Sequence, residues 1–391
     1  MNADSESIHI LKLDTILKLD KYLGIVLIVL LKPVTGLMGL VSRRDHDLSF
    51  NEDVTIVKPL GGGSLAIAFP TLLGLRKKYP DLNIRLVTTS KTAPFARSLD
   101  VFDEIHEIDD AGVTRLALSS LNCFFRTFGT DTVIILEAYS NLALLFALLT
   151  GARNRVGYYF QNAFWKKGVA THLFYFNSYA GTYEMYDKLF QPFAVRPASP
   201  EECRDHLEKG LPEAERPDSY RICIGHGCSD LGRERMLSAE QWEKVLLSRI
   251  DAGRDMEVVF LGVEKDSALA TEITGRVSSR LPKVNFRDFC GKTTLTESLS
   301  LLKASDELWG IDSALIHFAR LFGVKTVSIW GPTDPETRLR DFPGLQEEVM
   351  YKKIPCSPCI HISDAIPCKG NNICIQGLFE DKEIDWIDEL V

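Results

Sequence analysis

Short apolar runs alternate with longer amphipathic stretches through most of this 391-residue chain. Apolar runs bounded by glycine, proline or polar residues predict buried strands, and the stretches between them have the spacing of helices. The predicted strands are 54–57, 84–88, 105–108, 133–136, 222–224, 258–261 and 327–330. This alternation predicts parallel sheets with helices on both faces.

The strand–helix pattern occurs twice along the chain. A segment rich in proline, glutamate and arginine separates the two halves and is typical of a linker. We therefore expect two doubly wound α/β domains, with ligands bound at the carboxyl ends of their strands. The predicted parts are an acceptor-side domain over 51–200, a linker over 201–218, a nucleotide-sugar-binding domain over 219–375 and a C-terminal helix over 376–391.

The first 50 residues form a separate region. Residues 22–41 are apolar except for Lys32, and Pro33 interrupts them. A spanning helix needs about 20 apolar residues, and a charge near its middle is costly in hydrocarbon. We expect a helix or helical hairpin lying in the membrane interface, at the cytoplasmic face of the inner membrane. The alternative is a helix packed on the first domain.

Composition narrows the class of protein. Apolar residues make up 45% of the chain and charged residues 25%, as in ordinary globular proteins. The formal net charge of −8 argues against a general nucleic-acid binder. Five dispersed cysteines are typical of buried thiols in a reducing compartment: Cys123, Cys203, Cys223, Cys228 and Cys290.

Four further cysteines cluster near the C-terminus: Cys356, Cys359, Cys368 and Cys374. Four thiols over a short span are able to close a tetrahedral zinc site, hold an iron–sulfur cluster or pair as disulfides. Their spacing is not that of a standard zinc ribbon, and His361 is an alternative ligand. Plain packing remains open as well.

A candidate phosphate site begins at Asp312-Ser313, which opens a helix with an apolar face. The start of a helix presents unpaired N–H groups and the positive end of the helix dipole, which suits a phosphate. The sharp turn Gly331-Pro332-Thr333-Asp334 follows the next strand and supplies a second loop. The alternative is an ordinary N-cap on a core helix.

Two glycine motifs fall short of familiar nucleotide sites. Gly61-Gly62-Gly63 follows a strand and opens a helix, as in dinucleotide-binding domains, but the next strand ends at 87–90 without the carboxylate that holds a ribose. This argues against a nicotinamide dehydrogenase. Gly291-Lys292-Thr293 resembles the end of a P-loop, but Phe286 stands where the first glycine is required.

Several segments, taken in order, resemble glycosyltransferase family 9, the bacterial heptosyltransferases of lipopolysaccharide synthesis. The resemblance covers about residues 52–380. It rests on Arg153-Asn154-Arg155-Val156-Gly157-Tyr158, Cys228-Ser229-Asp230-Leu231 with Arg235, Gly291-Lys292-Thr293-Thr294-Leu295, Gly310-Ile311-Asp312-Ser313 with His317, and Gly331-Pro332-Thr333-Asp334. A Gly-Ser first loop, an N-terminal apolar segment and a Cys-Ser-Pro-Cys tail are similar to one branch of that family.

The resemblance implies a GT-B fold, with two Rossmann-like domains facing a cleft. It also implies an inverting transfer from a nucleotide-diphosphate sugar such as ADP-heptose, with no required metal or other cofactor. The acceptor would be a lipid-linked or lipopolysaccharide glycan. By this likeness the donor contacts Ser229, Asp230, Glu264, Asp312, Ser313, Ala314 and His317, and Arg235 neutralises the leaving phosphate.

Two departures from the family pattern concern catalysis. The family has Gly-Asp in the first loop, where the aspartate deprotonates the acceptor hydroxyl, and this chain has Gly63-Ser64. Serine has no useful basicity near neutral pH, so Glu137, at the end of the strand 133–136, is our candidate for the base. The second departure is Ala314, where the family has glycine.

Two other functions remain as alternatives to the transferase. One is a catalytically silent nucleotide-sugar-binding scaffold in envelope glycan assembly, and the other is a sugar-nucleotide epimerase.

Overall fold

The computed structural model describes residues 13–42, 48–160, 164–229, 232–360, 362, 366, 368 and 371–379. The chain divides into two compact units, Met1–Ala198 and Ser199–Val391. Each unit contains one six-stranded sheet in which all neighbouring strands run parallel. The predicted α/β class with two doubly wound domains is therefore confirmed.

The sheet of the first unit has the strand order β3-β2-β1-β4-β5-β6. Its strands are β1 Asp53–Val57, β2 Asn83–Thr89, β3 Glu104–Ile108, β4 Thr132–Ile135, β5 Asn154–Tyr159 and β6 His172–Tyr175. Its helices are α1 Leu13–Ser42, α2 Gly62–Lys78, α3 Ala93–Leu99, α4 Val113–Thr127, α5 Asn141–Leu149 and α6 Thr182–Phe190. The winding reverses between β1 and β4, which is where such folds bind ligands.

The sheet of the second unit repeats this arrangement with the order β12-β11-β10-β7-β8-β9. Its strands are β7 Tyr220–Gly225, β8 Met256–Phe260, β9 Val284–Asp288, β10 Glu307–Ile311, β11 Lys325–Trp330 and β12 Glu347–Tyr351. Its helices are α7 Pro200–Lys209, α8 Ala239–Arg249, α9 Ser267–Val277, α10 Leu295–Lys303, α11 Ala314–Phe322 and α12 Ile373–Gln376. Here the winding reverses between β7 and β10.

The segment predicted as a linker, 201–218, differs from that expectation because α7 occupies its first half. The Ser199 hydroxyl accepts from the backbone N–H of Glu202, and the Glu202 carboxylate accepts from the N–H of Ser199. With Pro200 in the first turn, this capping box fixes the start of the helix. The sequence therefore contains a capping box that starts a helix within the segment whose composition is typical of a linker.

The N-terminal apolar segment is one helix, α1, with Pro33 inside it, rather than a hairpin. Ile28 is fully buried in the core of the first unit, whereas Tyr22, Leu30 and Leu37 are exposed. None of the helices in the described part of the chain is long and apolar enough to cross a membrane. At the other end, α12 stops at Gln376, and most of the predicted C-terminal helix, 380–391, lies outside the described residues.

Candidate functional site

The predicted donor site lies at the point of reversal in the second sheet. β7 and β10 pair in parallel, from Glu307 beside Ile222 to Gly310 beside Gly225. The loop after β7, which leads to Arg235, and the loop after β10, which carries Asp312, therefore leave the same edge side by side. Parallel strands bring these two sequence-distant motifs together, as the sequence analysis expected.

Arg235 and Asp312 are in direct contact at this edge. Nη1 of Arg235 donates to the backbone oxygen of Asp312 at 2.8 Å and lies 3.3 Å from its carboxylate Oδ2. Nε of the same side chain donates to the oxygen of Gly232 at 3.1 Å. The guanidinium is thus held by both loops, and it forms a fixed cation beside the start of α11.

The carboxylate of Asp312 is buried and also faces His317, whose Nε2 lies 3.7 Å from Oδ1. Burial opposes ionisation of Asp312, but the His317 ring and the positive charges of Arg235 and Arg338 outweigh it and lower its pKa. Burial also lowers the pKa of His317, so that ring is neutral at physiological pH. The ionised carboxylate therefore fixes the Arg235 guanidinium, and the predicted contact of Asp312 with the diphosphate stays a prediction.

Two buried hydroxyls, in the loops after the neighbouring strands β10 and β11, have no partner within the described residues. Ser313 is the N-cap of α11, yet its side chain makes no capping hydrogen bond. Within the described residues, Ser313 Oγ and Thr333 Oγ1 are both buried and have no hydrogen-bond partner. A buried unsatisfied hydroxyl is costly and is normally explained by a ligand or water. With the N–H groups at Ala314, these hydroxyls suit an anionic oxygen.

The other residues predicted to contact the donor lie on the loops after β7 and β8, and one of them is outside the described residues. Glu264 is exposed and follows β8, which is the neighbour of β7. Gly291 packs against it so closely that a Cβ atom on Gly291 would lie 2.7 Å from the Glu264 Cα. Ser229 is exposed on the loop after β7, and Asp230 lies outside the described residues. Their predicted contact with the donor stays a prediction.

The first sheet has an ion pair at the same topological position. Lys58 is the first residue after β1, Glu137 is the second residue after β4, and the two strands pair in parallel. Lys58 Nζ donates to Glu137 Oε2 at 2.6 Å, and the lysine side chain is almost fully buried. Sequence reasoning nominated Glu137 but missed Lys58. The available signal was a charged residue directly after an apolar strand and before the glycine turn.

The glycine loop lies beside this pair. Gly61 has φ of +92°, a left-handed conformation that favours glycine, and it precedes the first turn of α2. A Cβ atom on Gly61 would lie 2.9 Å from Ser64 Oγ and 3.9 Å from Lys58 Nζ, so both side chains surround this residue. Gly62 is likewise packed against the Phe95 ring. Ser64, Lys58 and Glu137 thus occupy one edge of the sheet, next to Gly63.

The four clustered cysteines are free thiols that lie near one another. Burial raises the pKa of Cys359 to about 11 and that of Cys374 to about 12, and the neighbouring thiols add to both shifts. Among the residues that the structure describes, however, no group of three or more His, Cys, Asp or Glu side chains is arranged to hold a metal ion. The predicted metal ligands Cys356, Cys359, Cys368 and Cys374 therefore converge without forming a ligand set, and His361 lies outside the described residues.

The described part of residues 356–379, the cysteine segment, instead contacts both loops of the candidate donor site, those after β7 and β11. The N–H groups of Cys359 and Ile360 donate to the oxygen of Pro332 at 3.0 and 3.2 Å. On the other loop, Asn372 Nδ2 donates to the oxygen of Met236 at 3.4 Å, one residue after Arg235. Gly331 packs so tightly against this segment that a Cβ atom would lie 2.9 Å from Cys374 Sγ. The segment therefore supports the loops that carry Arg235 and Thr333.

Comparisons with known proteins concern the family and the fold of the chain. The family described as glycosyltransferase family 9 (heptosyltransferase) matches residues 188–369. A lipooligosaccharide heptosyltransferase 2 of Campylobacter jejuni is 24% identical over 156 residues, which are 39% of this chain and 48% of that protein. The chain spans about half the length of the curated relatives that it matches.

Solved structures share the fold over both sheets. A family 9 glycosyltransferase from Veillonella parvula matches with a TM-score of 0.59 and 18% identity, covering 78% of this chain and 87% of that one. The ADP-heptose heptosyltransferase II of Escherichia coli matches with a TM-score of 0.56 and 16% identity, covering 77% and 91%. These similarities confirm the GT-B fold class. The match to glycosyltransferase family 9 itself covers residues 188–369, which lie mostly in the second unit.

Proposed function

We propose that this chain is an inverting glycosyltransferase. It moves a heptose-like sugar from a nucleotide-diphosphate donor, such as ADP-heptose, to a lipopolysaccharide or other envelope glycan. The observation that carries the proposal is the arrangement at the start of α11. There a fixed guanidinium and the buried Ser313 Oγ lie at the first turn of α11, and Thr333 Oγ1 follows the neighbouring strand β11; both hydroxyls lack a partner within the described residues.

The charges in the second unit suit a leaving diphosphate. During transfer, the bond between the anomeric carbon and the phosphate oxygen breaks, and its electron pair leaves with the nucleoside diphosphate. Arg235 and the first N–H groups of α11 would stabilise that developing charge without rearranging, because Asp312 already fixes the guanidinium. Asp312 therefore acts through Arg235.

The ion pair in the first unit supports a role in activating the acceptor. We assign Glu137 as the base that takes the proton from the acceptor hydroxyl as its oxygen bonds to the anomeric carbon. Lys58 holds the carboxylate in place and balances its charge at this edge of the sheet. Ser64 stands beside them and is suited to hydrogen bonding with the acceptor rather than to proton abstraction.

We expect the proposed transfer to need no cofactor, as the resemblance to family 9 implies. The cysteine segment supports the donor-site loops through the hydrogen bonds to Pro332 and Met236, and its thiols are not arranged as ligands in the described structure. Elemental analysis of the purified protein tests this assignment. Zinc or iron at one equivalent per chain would contradict a support role played by free thiols alone.

The proposed place of action is the cytoplasmic face of the inner membrane. α1 docks on the first unit through Ile28, while large apolar side chains on its other faces are exposed. A helix with one face on the protein and another apolar face outside suits an interfacial position. Its acceptor would then be a lipid-linked glycan at the same surface.

Transfer of label from ADP-heptose to a heptose-deficient lipopolysaccharide tests the proposed activity. We expect labelled lipid with the wild-type chain and inversion at the anomeric carbon in the product. A scaffold would bind the donor by calorimetry but transfer nothing, also when other nucleotide sugars are supplied. An epimerase would release an altered sugar nucleotide when no acceptor is present.

A further inference from the structure

We propose that α1 and α4 together form one lipid-facing surface of the first unit, and that its partner is an anionic bilayer. α4 is a helix of the Rossmann-like domain itself, yet its outer face is apolar. Its exposed large apolar side chains, with that of the residue after the helix, are Val113, Leu118, Leu121, Phe125 and Phe128. Apolar side chains exposed on such a scale mark an interaction site.

The two helices cover the same side of the sheet. Ile28 of α1 and Cys123 of α4 belong to one hydrophobic core, which also holds most of the apolar residues of α5. The sheet residues in this core include Val133 and Ile135, which point to the same face because they are two positions apart. The exposed apolar residues of α1 and α4 therefore lie in one helical layer of the unit.

The second unit lacks such a surface. Its exposed large apolar side chains, within the described residues, are Val263, Val349 and Ile362. None of these lies in an α-helix, and each is separated from the others along the chain. The apolar exposure is therefore a property of the first unit rather than of the whole protein.

The basic residues of α1 and α4 favour an anionic bilayer as the partner of this surface. α4 contains Arg115 and Arg126 and no acidic residue, although Arg115 Nη1 lies 3.8 Å from Asp109 Oδ2, and residues 22–42 contain a single charged side chain, Lys32. These two helical segments therefore carry three basic and no acidic side chains in a chain whose formal net charge is −8. Anionic head groups attract such a surface, whereas a second copy would bring like charges together.

Vesicle binding tests this surface without donor or acceptor. The proposal extends the membrane location proposed above, but its outcome does not depend on whether the chain transfers sugar. The full chain is mixed with vesicles of phosphatidylcholine containing one quarter phosphatidylglycerol. The triple variant Leu118→Ser, Leu121→Ser, Phe125→Ser should bind at least about tenfold more weakly, because its apolar contact area is lost.

The matched control is Val263→Ser with Val349→Ser, which removes exposed apolar groups from the second unit and should bind like wild type. Circular dichroism shows whether each variant is folded. The double variant Arg115→Gln, Arg126→Gln removes both positive charges of α4 and tests their contribution to vesicle binding. Unchanged binding of both α4 variants would overturn the proposal. A concentration-dependent dimer that the α4 triple variant abolishes would assign the surface to a second copy instead.

A separate observation leads to a second inference, which rests on the proposed role of Glu137. We infer that Asp20 of α1 is a positioning residue for the loop between β4 and α5. The buried carboxylate of Asp20 accepts from the N–H groups of Asn141 and Leu142 at 3.0 and 2.6 Å, and from Ser140 Oγ at 3.1 Å. The first N–H groups of α5 are thus bonded by a residue of α1.

Close packing supports the same contact. A Cβ atom on Gly24, one turn after Asp20, would lie 2.6 Å from Asn141 Cβ, so α1 touches the first turn of α5. Glu137 is only three residues before Ser140, and the N–H of Leu136 bonds to the oxygen of Val57 at the other end of the loop. Asp20 therefore fixes one end of the short segment that carries Glu137.

A double-mutant cycle tests this role in the transfer assay. Asp20→Ala should lower kcat at least about tenfold while leaving the donor KM unchanged, because the donor site lies in the other unit. Asp20→Asn keeps one acceptor oxygen and should have an intermediate kcat. In a Glu137→Gln background, Asp20→Ala should lower the residual rate by less than about twofold, because Asp20 acts through Glu137.

Equal losses in both backgrounds, or a parallel rise in donor KM, would indicate general destabilisation and overturn the assignment. Thr35→Val is the control on the same helix, since it removes a hydroxyl that bonds only within α1, to the oxygen of Lys32. It should leave kcat unchanged. Inactivity of the wild-type chain would instead count against the proposed function, so failure of that proposal is distinguished from failure of the proposed role of Asp20.

Discussion

Lys58 Nζ lies 2.6 Å from Glu137 Oε2, although the two residues are 79 positions apart in the sequence. The pair joins the ends of β1 and β4, where the winding of the first sheet reverses. Arg235 and Asp312 join the loops after β7 and β10 at the corresponding point of the second sheet. Each Rossmann-like unit thus has one cation paired with one carboxylate at the edge where ligands bind in this architecture.

Replacement of the carboxylate in the first unit should remove the chemical step. Glu137→Gln keeps the size of the side chain and one acceptor oxygen but is not a base, so kcat should fall by about 10² to 10⁴. Donor affinity should not change, because the proposed donor-binding residues lie in the second unit. Transfer of label and calorimetric titration with ADP measure the two quantities separately.

Glu52→Gln is the matched control for this variant. Glu52 is exposed and precedes β1, so it lies at the opposite end of the strand from Lys58. Its kcat should equal that of wild type. A Glu137→Gln enzyme that retained more than half of the wild-type rate would rule out Glu137 as the base.

Loss of the guanidinium in the second unit should affect both stability and binding. Arg235→Met leaves the buried carboxylate of Asp312 without its main cationic partner, which costs about 3–5 kcal/mol in the free energy of unfolding. The affinity for ADP should fall as well, because the fixed positive charge at the start of α11 is lost. Urea unfolding and ADP titration at a temperature where the variant is folded provide the measurements.

The double variant Arg235→Met, Asp312→Asn separates the two effects. It removes the unpaired carboxylate, so part of the lost stability should return, while ADP affinity should stay low. Recovery of ADP affinity in the double variant would mean that Arg235 does not contact the diphosphate.

Much of the fold was predictable because its strands are apolar runs ending in glycine or polar residues. The predicted strands 54–57 and 327–330 correspond to β1 and β11, each with one or two further residues. The start of α11 at Asp312-Ser313 was recognisable from its capping residues. These features depend on nearby residues, which explains why the sequence was sufficient for them.

The contacts within the candidate sites were less accessible to sequence reasoning. The pairing of Lys58 with Glu137 depends on the adjacency of β1 and β4, which no local period reveals. Asp312 is predicted to hold the diphosphate, and its ion pair with Arg235 was not predicted because it depends on the adjacency of β7 and β10. Such relations require the strand order, which a pattern of apolar residues does not contain.

The lowered pKa of Asp312 predicts a particular pH dependence of stability. Its ordinary pKa of about 3.9 applies in the unfolded chain, and its folded pKa is lower. The unfolded state therefore binds the proton first as the pH falls, so the stabilisation is present above about pH 4 and is lost below it. The stability difference between wild type and Asp312→Asn should shrink as the pH falls below about 4.

His317 contributes with the same sign in a different range. Because burial lowers its pKa, the unfolded chain takes up a proton near about pH 6.5 before the folded chain does, and stability falls there. The variant His317→Gln should lose that step and keep the one below about pH 4. Denaturant unfolding at a series of pH values measures both, and a difference for Asp312→Asn that grows as the pH falls below about 4 would contradict the assigned direction.

Two glycines of the second unit should respond in opposite directions to the same substitution. Gly291 has φ of +70°, and a Cβ atom there would lie 2.7 Å from the Glu264 Cα, so Gly291→Ala should destabilise the protein by about 1–3 kcal/mol. Gly275 lies in α9, where a Cβ atom would meet nothing within 4 Å, so Gly275→Ala should stabilise by about 0.5–1 kcal/mol. If Glu264 contacts the donor ribose, Gly291→Ala should also weaken ADP binding, whereas Gly275→Ala should not. Urea unfolding and ADP titration check both effects, and a Gly291→Ala protein with wild-type stability would show that Glu264 moves aside freely.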